Sequence, residues 1–334
     1  MSLKEILNNR ILTLDGAMGT MIQSYGLEEV DYRGDFFKKH PCSLLGNNDL
    51  LSISQPNIIS EIHEKYLLAG ADIIETNTFS STSISMLDYE MEHLVYKLNF
   101  ESAKIAGKAT KKFTKSDPLK PRFVAGSIGP TNKTASMSSD VNNPGHRAIS
   151  FNDLVASYSE QIKGLIDGGV DLLLVETIFD TLNAKAALFA INKIFEQNGF
   201  DLPVMLSVTI TDNSGRTLSG QTLEAFVISI SHFPLLSIGL NCALGADQLH
   251  PYLKRLSEIT PVFTSVYPNA GLPNAFGEYD QTPTEMIKFI QGYLKEEIVN
   301  IVGGCCGTTP EHIKLISEEV KKFKPRETKI FSNV

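Results

Sequence analysis

The sequence predicts an α/β protein that folds as a single (β/α)₈ (TIM) barrel. Eight short segments rich in apolar and β-branched residues recur along the 334 residues, and segments with helical periodicity separate them. No G-x-G-x-x-G dinucleotide fingerprint follows any of the eight segments. A doubly wound open sheet is the competing arrangement, but eight near-equal strand–helix units joined by right-handed crossovers favour a closed barrel.

Each predicted strand is nearly continuous in apolar residues, which is typical of parallel strands buried on both faces. In chain order the strands are predicted at 12–17, 71–79, 122–129, 170–177, 203–210, 235–242, 261–269 and 300–307. Helices are predicted between them from apolar residues, such as Ile59, Ile62 and Tyr66, that recur three and four positions apart. The last helix is expected to begin at Thr309-Pro310, because threonine caps a helix and proline fits its first turn.

Two long polar segments interrupt this regular alternation. Residues 18–54 follow the first predicted strand, and residues 129–150 follow the third. Both are rich in Gly, Asn, Ser and Pro, and loops of that length are usually functional or mobile. Because both follow the C-terminal ends of strands, we expect them on the face of the barrel that carries the chemistry.

Composition and charge narrow the class of partner. The 42% hydrophobic and 20% charged residues are typical of a soluble globular protein, and no apolar run reaches the length of a membrane span. The net charge of -8 comes without a block of Lys and Arg, so we expect neither nucleic acid nor a membrane as partner, and small molecules instead. No secretory signal opens the chain, and four cysteines without a disulfide framework indicate a reducing cytoplasm.

Two adjacent cysteines, Cys305 and Cys306, lie where the eighth predicted strand ends in GGCCGT. They cannot readily bond to each other, because neighbouring Cα atoms are about 3.8 Å apart and an unstrained disulfide needs roughly 4.4 to 6.8 Å. Cys242 ends the sixth strand, whereas Cys42 lies at no strand end. Buried packing is the plain alternative for free cysteines. The position of all three strand-end cysteines on only two strands favours instead a zinc site with three thiolates and one open position.

Carboxyl and amide side chains also collect at the predicted strand ends, namely Asp15, Glu75, Asn77, Glu176, Asn241 and Asn269. Any one of them alone could be an ordinary polar residue at a turn. A thiol that enters the open position of such a zinc site loses its proton, whereas free thiols, with a pKa of about 8.5, stay mostly protonated at neutral pH. Asp15 and Glu176 would suit an ammonium group on the same molecule. The strand ends therefore predict an amino thiol as the substrate.

Seven motifs spread over nearly the whole chain carry a family resemblance. They are LDGAMGT at 14–20, RGDFFKKHP at 33–41, GADIIETNTF at 70–79, DLLLVETIFDTLNAKAA at 171–187, GLNCALGA at 239–246, YPNAGLPNAFGEYD at 267–280 and VGGCCGTTPEHI at 302–313. On these motifs the chain resembles the homocysteine S-methyltransferase family, and within it the homocysteine-binding module of cobalamin-dependent methionine synthase. The resemblance implies a (β/α)₈ barrel with zinc on Cys242, Cys305 and Cys306, and with homocysteine as the thiol that completes the tetrahedron.

The same resemblance implies a set of substrate-binding residues. These are Asp15, Ala17, Met18, Gly19, Glu176 and Asn269. The two carboxylates would receive the amino group of homocysteine, and the backbone of residues 17–19 would receive its carboxylate. The asparagine is similar in position to the residue that approaches zinc when substrate is absent.

The expected reaction is attack of the homocysteine thiolate on the methyl group of methylcobalamin, which gives methionine and cob(I)alamin. Methylcobalamin and the ultimate donor, methyltetrahydrofolate, would be carried by separate modules, because the chain has no D-x-H-x-x-G corrin-binding motif. The barrel is expected to cover 1–325, with 326–334 as the start of a linker, in an excised module or a stand-alone subunit. The alternatives are a stand-alone methyltransferase that uses S-methylmethionine or a betaine, and a non-catalytic zinc- or thiol-binding module.

Overall fold

The computed structural model describes residues 2–212 and 214–328, and these form the predicted barrel. In chain order β1 to β8 are Leu12–Thr13, Ile73–Glu75, Phe123–Ile128, Leu172–Ile178, Val204–Val208, Ser237–Gly245, Phe263–Asn269 and Ile301–Val302. All neighbours pair in parallel, in the order β1-β8-β7-β6-β5-β4-β3-β2. A parallel bridge between Leu14 and Ile73 brings β1 to β2, so that the ring is nearly closed. The barrel prediction is therefore confirmed, and each predicted strand overlaps an observed one.

Thirteen α-helices connect or cover the strands in the described ranges. In chain order α1 to α13 are Leu3–Asn9, Met18–Gln23, Glu29–Arg33, Leu51–Ser54, Pro56–Ala69, Ser83–Met86, Val95–Ser116, Phe151–Gly168, Thr181–Asn198, Leu223–Ile230, Ala246–Ile259, Pro283–Lys295 and Pro310–Glu319. As the sequence predicts, α13 begins with Thr309 at the N-cap position and Pro310 in the first turn. Within residues 2–212 and 214–328, no helix combines the length and the apolar character that a membrane crossing needs.

The interior of the barrel and the layer between the strands and the outer helices form two separate apolar clusters. Side chains alternate along each strand, so that Ile73 of β2 and both Leu172 and Leu174 of β4 belong to the interior. α1, which has no counterpart among the predicted elements, contributes Leu3 and Leu7 to the same interior cluster. This helix closes the N-terminal end of the barrel with apolar side chains, so the cavity lies at the other end.

The segment 18–54, expected as a long loop, contains three short helices, α2, α3 and α4. Two charged side chains hold it by local hydrogen bonds. The Glu29 carboxylate accepts from the N–H groups of Leu44 and Leu45, and the Arg33 guanidinium donates to three carbonyl groups between residues 37 and 42. A segment held by polar hydrogen bonds does not need regularly spaced apolar residues. The pattern of apolar residues in the sequence therefore could not predict these helices. Residues 129–150, all of them described, contain neither helix nor strand.

Beyond α13 the chain stays against the barrel as far as Arg326, which is only 5% exposed. Its guanidinium donates to the carbonyl groups of Ser257, Thr260 and Val262 at 2.6 to 3.2 Å. Its main-chain N–H donates to the Val299 carbonyl. The last part of the predicted linker, residues 329–334, lies outside the described residues, and the domain boundary at residue 326 stays a prediction.

Candidate active site and metal centre

Three cysteine sulfurs meet at the C-terminal end of the barrel. Cys306 Sγ lies 3.9 Å from Cys242 Sγ and 4.0 Å from Cys305 Sγ, and all three sulfurs lie within 4.8 Å of one another. Zinc bound tetrahedrally to thiolates at about 2.3 Å would separate the sulfurs by about 3.8 Å. Soft thiolate ligands also suit this metal. The two strand ends named from the sequence therefore come together, and their donor set fits a zinc ion with a fourth position left for another ligand.

Backbone bends, rather than regular strand geometry, aim these sulfurs at one point. A bulge interrupts β6 near its end, and there Cys242 and Ala243 have φ values of 60° and 57°. That left-handed conformation costs a residue with a side chain about 1 kcal/mol or more. After β8 the chain turns at Gly307, with φ of 80°, where a Cβ atom would lie 2.2 Å from Tyr279 Cβ. Only glycine fits this turn, because the Tyr279 ring packs directly against it.

Two polar side chains hold the sulfurs from outside the cluster. Asn241 Nδ2 lies 3.9 Å from Cys305 Sγ, and its Oδ1 accepts a hydrogen bond from the Ser207 hydroxyl at 2.7 Å, which fixes the amide orientation. The Tyr279 hydroxyl, from the loop that follows β7, hydrogen-bonds to Cys306. Partners of this kind orient metal ligands and tune their basicity.

The three thiols share charge unequally. Hydrogen bonds from Cys242, Cys305 and then Tyr279 lower the pKa of Cys306 to about 3. The hydrogen bond with Cys242 raises the pKa of Cys305 above its usual range. Of the three thiols, Cys306 is therefore the one whose negative charge its neighbours stabilise best, and this arrangement suits a cation.

Three carboxyl groups, two of them buried and one partly buried, lie in the same cavity. Asp15 and Glu176 are each 3% exposed, and Glu75 lies between them at the end of β2. The Glu75 main-chain N–H donates to Asp15 Oδ2 at 3.0 Å, and the Ser127 hydroxyl donates to Glu176 Oε1 at 2.5 Å. Burial raises the pKa of Glu176 to about 7 and raises the pKa of both Asp15 and Glu75 well above the usual carboxyl range. The two carboxylates named from the sequence are thus together, with a third beside them.

The backbone predicted to receive a substrate carboxylate forms the start of α2. Ala17 is the N-cap residue, and its side chain makes no capping hydrogen bond. Its own N–H already donates to Thr308 Oγ1 at 3.2 Å. The N–H groups of a first helical turn have no partner inside the helix. Because Met18 and Gly19 line the cavity, their N–H groups are the donors that remain for an incoming carboxylate.

These groups line one cavity of about 970 Å³. Its acidic lining residues are Asp15, Asp49, Glu75, Asp88, Glu176 and Glu278. Among the described residues that line it there is no Lys, Arg or His. Such a lining attracts a cationic group and disfavours an anion. The volume falls in the range of cavities that hold drug-sized ligands, so it has room for a second reactant beside a small amino thiol.

Asn269 is the one predicted site residue outside the described cavity lining. It is 2% exposed, and its Oδ1 has no hydrogen-bond partner among the described residues. Tyr267, two residues earlier on β7, lines the cavity instead. Its hydroxyl is buried and has no hydrogen-bond partner among the described residues. An approach of Asn269 to a metal therefore stays a prediction.

Sequence reasoning placed Glu75 at a strand end but gave it no role in the site, and it did not name Tyr267 or Tyr279. Period-two alternation from the inward residues Phe263 and Ile73 would have pointed to Tyr267 and Glu75, because residues two apart on a strand share a face. No such signal marks Tyr279, which reaches the sulfurs from an irregular loop. Its position depends on tertiary packing against the turn after β8.

Comparisons with known proteins agree with this geometry. A family model described as Homocysteine S-methyltransferase matches residues 12–320. The metallated form of the homocysteine methyltransferase MmuM from Escherichia coli is similar in structure, with a TM-score of 0.73 and 23% identity over 95% of this chain and 99% of that chain. For the oxidized form of the same protein the TM-score is 0.72, with 23% identity over 92% and 96% of the two chains. At these identities the two solved structures show a shared fold, whereas the family match covers most of the sequence.

Proposed function

This chain belongs to the homocysteine S-methyltransferase family, and on that basis we propose that it presents homocysteine as a thiolate to a methyl donor and so produces methionine. The observation that carries the proposal is the convergence of Cys242, Cys305 and Cys306 in a cavity that also holds Asp15 and Glu176. Three thiols suit a metal that takes a thiol as fourth ligand, and two buried carboxyl groups suit an ammonium group. An amino thiol is the substrate class that satisfies both.

Zinc held by the three cysteines would supply the Lewis acidity that keeps a substrate thiol deprotonated at neutral pH. The residues of the chain position the substrate. Asp15 and Glu176 bind its ammonium group, and the N–H groups of Met18 and Gly19 bind its carboxylate. The Tyr279 hydroxyl holds one of the sulfurs. A methyl displacement needs alignment of nucleophile, carbon and leaving group, with no acid or base acting on the methyl group, so this positioning supplies much of the acceleration.

We propose methylcobalamin, carried by a separate module or protein, as the methyl donor. The new S–C bond forms while the Co–C bond breaks, and the electron pair of that bond stays on cobalt, so the products are methionine and cob(I)alamin. The volume of the cavity supports a second reactant beside homocysteine. Its acidic lining disfavours direct entry of methyltetrahydrofolate, an anion. Methyltetrahydrofolate would then recharge the cobalamin on another module.

A second candidate is a stand-alone methyltransferase that takes its methyl group from S-methylmethionine or a betaine. One observation favours it: the acidic lining of the cavity attracts the positive charge that such donors carry at the donor atom. The structural match to the Escherichia coli homocysteine methyltransferase extends over 99% of the solved chain of that protein.

One assay tests these proposals together. Protein with its zinc content measured is incubated with homocysteine and, separately, methylcobalamin, S-methylmethionine or betaine, and methionine is quantified. Methionine from methylcobalamin supports the first proposal, whereas turnover with the sulfonium or betaine alone supports the second candidate. Stoichiometric zinc without turnover of any donor would contradict both and would leave a zinc- or thiol-binding module.

A further inference from the structure

A third carboxyl side chain, that of Glu75, connects the two proposed ammonium ligands. Ile73 of β2 belongs to the barrel interior, and alternation along the strand directs Glu75 to the same side. Glu75 lines the cavity. Its main-chain N–H donates to Asp15 Oδ2 at 3.0 Å, and its side chain hydrogen-bonds to the carboxyl group of Glu176. One residue thus contacts Asp15 through its main chain and Glu176 through its side chain.

The protein supplies no cation to balance these three carboxyl groups. No Lys, Arg or His occurs in the described lining of the cavity. Within residues 2–212 and 214–328, no ion pair includes Asp15, Glu75 or Glu176. Full ionisation of all three would place three negative charges side by side, two of them on buried side chains and none beside a cation, which is strongly unfavourable. At least one of the three groups must therefore be protonated until a cation arrives.

The hydrogen bonds identify the group that holds the proton. Two carboxyl groups can share a hydrogen bond only if a proton lies between them. Glu176 Oε1 also accepts a hydrogen bond from the Ser127 hydroxyl at 2.5 Å, so that it faces two donors. Because a carboxylate is the better acceptor for several donors, Glu176 is the ionised partner. Burial, and then the charges of Glu176 and Asp15, raise the pKa of Glu75, which agrees with its being the neutral acid.

We propose that Glu75 is a positioning residue for the reaction: as a neutral acid it donates a hydrogen bond to Glu176 and so holds that carboxylate for the ammonium group of the substrate. The inference rests on the proposed function, since it takes homocysteine as the amino thiol. It assigns to Glu75 a hydrogen-bond donor role and no charge. An uncharged donor of the same size should therefore replace it, whereas an apolar side chain should not.

Two variants separate these properties. Glu75→Gln keeps the length of the side chain and an N–H donor toward Glu176, and Glu75→Met keeps the length without the donor. Both retain the main-chain N–H that Asp15 accepts. Glu278→Gln removes an exposed carboxylate from the mouth of the same cavity and is the matched control. Each zinc-loaded protein is titrated calorimetrically with homocysteine and with 4-mercaptobutanoate, which is homocysteine without its amino group.

We expect wild type, Glu278→Gln and Glu75→Gln to bind homocysteine within about threefold of one another. Glu75→Met should bind homocysteine about ten- to a hundredfold more weakly, as for a lost hydrogen bond to a buried charged group, with its affinity for 4-mercaptobutanoate unchanged. Zinc content and unfolding temperature are measured on the same samples. If Glu75→Met loses zinc or unfolds, Glu75→Ala takes its place.

Three results would overturn the inference. Equal weakening of both thiols would show that Glu75 supports the fold or the metal rather than the ammonium site. Weakening in Glu75→Gln as large as in Glu75→Met would show that the charge of Glu75 itself is needed. If wild type binds neither thiol, the proposed function falls and this inference falls with it, which distinguishes that failure from the other two.

Discussion

The two ends of the barrel treat buried carboxyl groups in opposite ways. At the N-terminal end, Asp72 is 2% exposed and receives two hydrogen bonds from the Arg10 guanidinium at 2.9 Å, and one from the Thr13 N–H at 2.9 Å. At the C-terminal end, the buried carboxyl groups of Asp15 and Glu176 have no cationic partner among the described residues. A charge that the protein balances itself contributes to stability. A charge that it leaves unbalanced, at the rim of a cavity, is available to a ligand.

The apolar residues follow the same division. α1 fills the N-terminal end with Leu3 and Leu7, both buried, whereas the C-terminal end holds a cavity of about 970 Å³. Stability and chemistry therefore lie at different ends of one set of strands, as is usual for this architecture. Substitutions at the two ends should have separable effects, and five of them test that separation.

The largest effect is expected for Cys306→Ala at the C-terminal end. It removes one of the three sulfurs that would hold zinc, so kcat/KM for methyl transfer should fall at least about a thousandfold, equivalent to about 4 kcal/mol. Metal analysis should show less than one zinc per chain. Cys42→Ala, the same change at a cysteine outside the cluster, should keep both zinc and activity. Full zinc content in Cys306→Ala would show that the zinc site does not depend on this cysteine and would contradict the proposed metal centre.

At the N-terminal end, Leu7→Ala should lower the free energy of unfolding by about 2 to 4 kcal/mol, because Leu7 is fully buried and its removal leaves a void. Denaturant titration measures the loss, and kcat of the folded enzyme should not change. Asn8→Ala, on the exposed side of the same helix, is the control and should have little effect on either. A kcat lowered by Leu7→Ala would show that α1, which closes the N-terminal end of the barrel, contributes to catalysis.

A matched pair of Asp→Asn changes compares the two ends directly. Asp49 lines the cavity and is 5% exposed, its partners are the Ser80 N–H and the Ser81 hydroxyl, and burial raises its pKa to about 6. A carboxyl group whose folded pKa is raised stabilises the fold at low pH, and loses that contribution as pH rises through the folded pKa. The stability of Asp49→Asn relative to wild type should therefore rise by about 2 kcal/mol between pH 4.5 and pH 7.

At the other end, Asp72→Asn should act with the opposite sign at pH 7. It removes the charge that pairs with Arg10, so the free energy of unfolding should fall. Denaturant titrations of the two variants and wild type at both pH values give the comparison. Equal effects of the two substitutions at pH 7 would mean that the ends do not differ in how they balance charge.

The smallest effect is expected for Tyr279→Phe. The substitution removes the hydroxyl that hydrogen-bonds to Cys306, and loss of such a partner lowers metal affinity about tenfold or somewhat more. Competition with a chromogenic chelator measures zinc affinity. Tyr96→Phe, whose hydroxyl donates to Asp167 on the outer helices, should not change it. An unchanged zinc affinity in Tyr279→Phe would assign that hydroxyl no part in holding the cluster.

The sequence predicted the parts of the molecule that depend on local pattern and on distinctive chemistry. Apolar runs marked the strands, and the rarity of cysteine made Cys242, Cys305 and Cys306 visible as a group. α2 to α4 were missed because hydrogen bonds of Glu29 and Arg33, which have no period, hold that segment together. Tyr279 was missed because only the close packing against Gly307 brings it to the sulfurs.

Contacts between the segments that follow β1 and β8 determine when the site can form during folding. Ala17 N–H donates to Thr308 Oγ1 across 291 residues of sequence, and Gly307 N–H donates to Thr20 Oγ1 across 287. Closing so long a loop is slow, because its entropic cost precedes any gain from the contacts made. The two adjacent cysteines directly follow β8, so the cluster is complete only when the two ends of the chain have met. We expect metal to be acquired in the last step of folding of the barrel, after the segment that carries Cys305 and Cys306 has been synthesised.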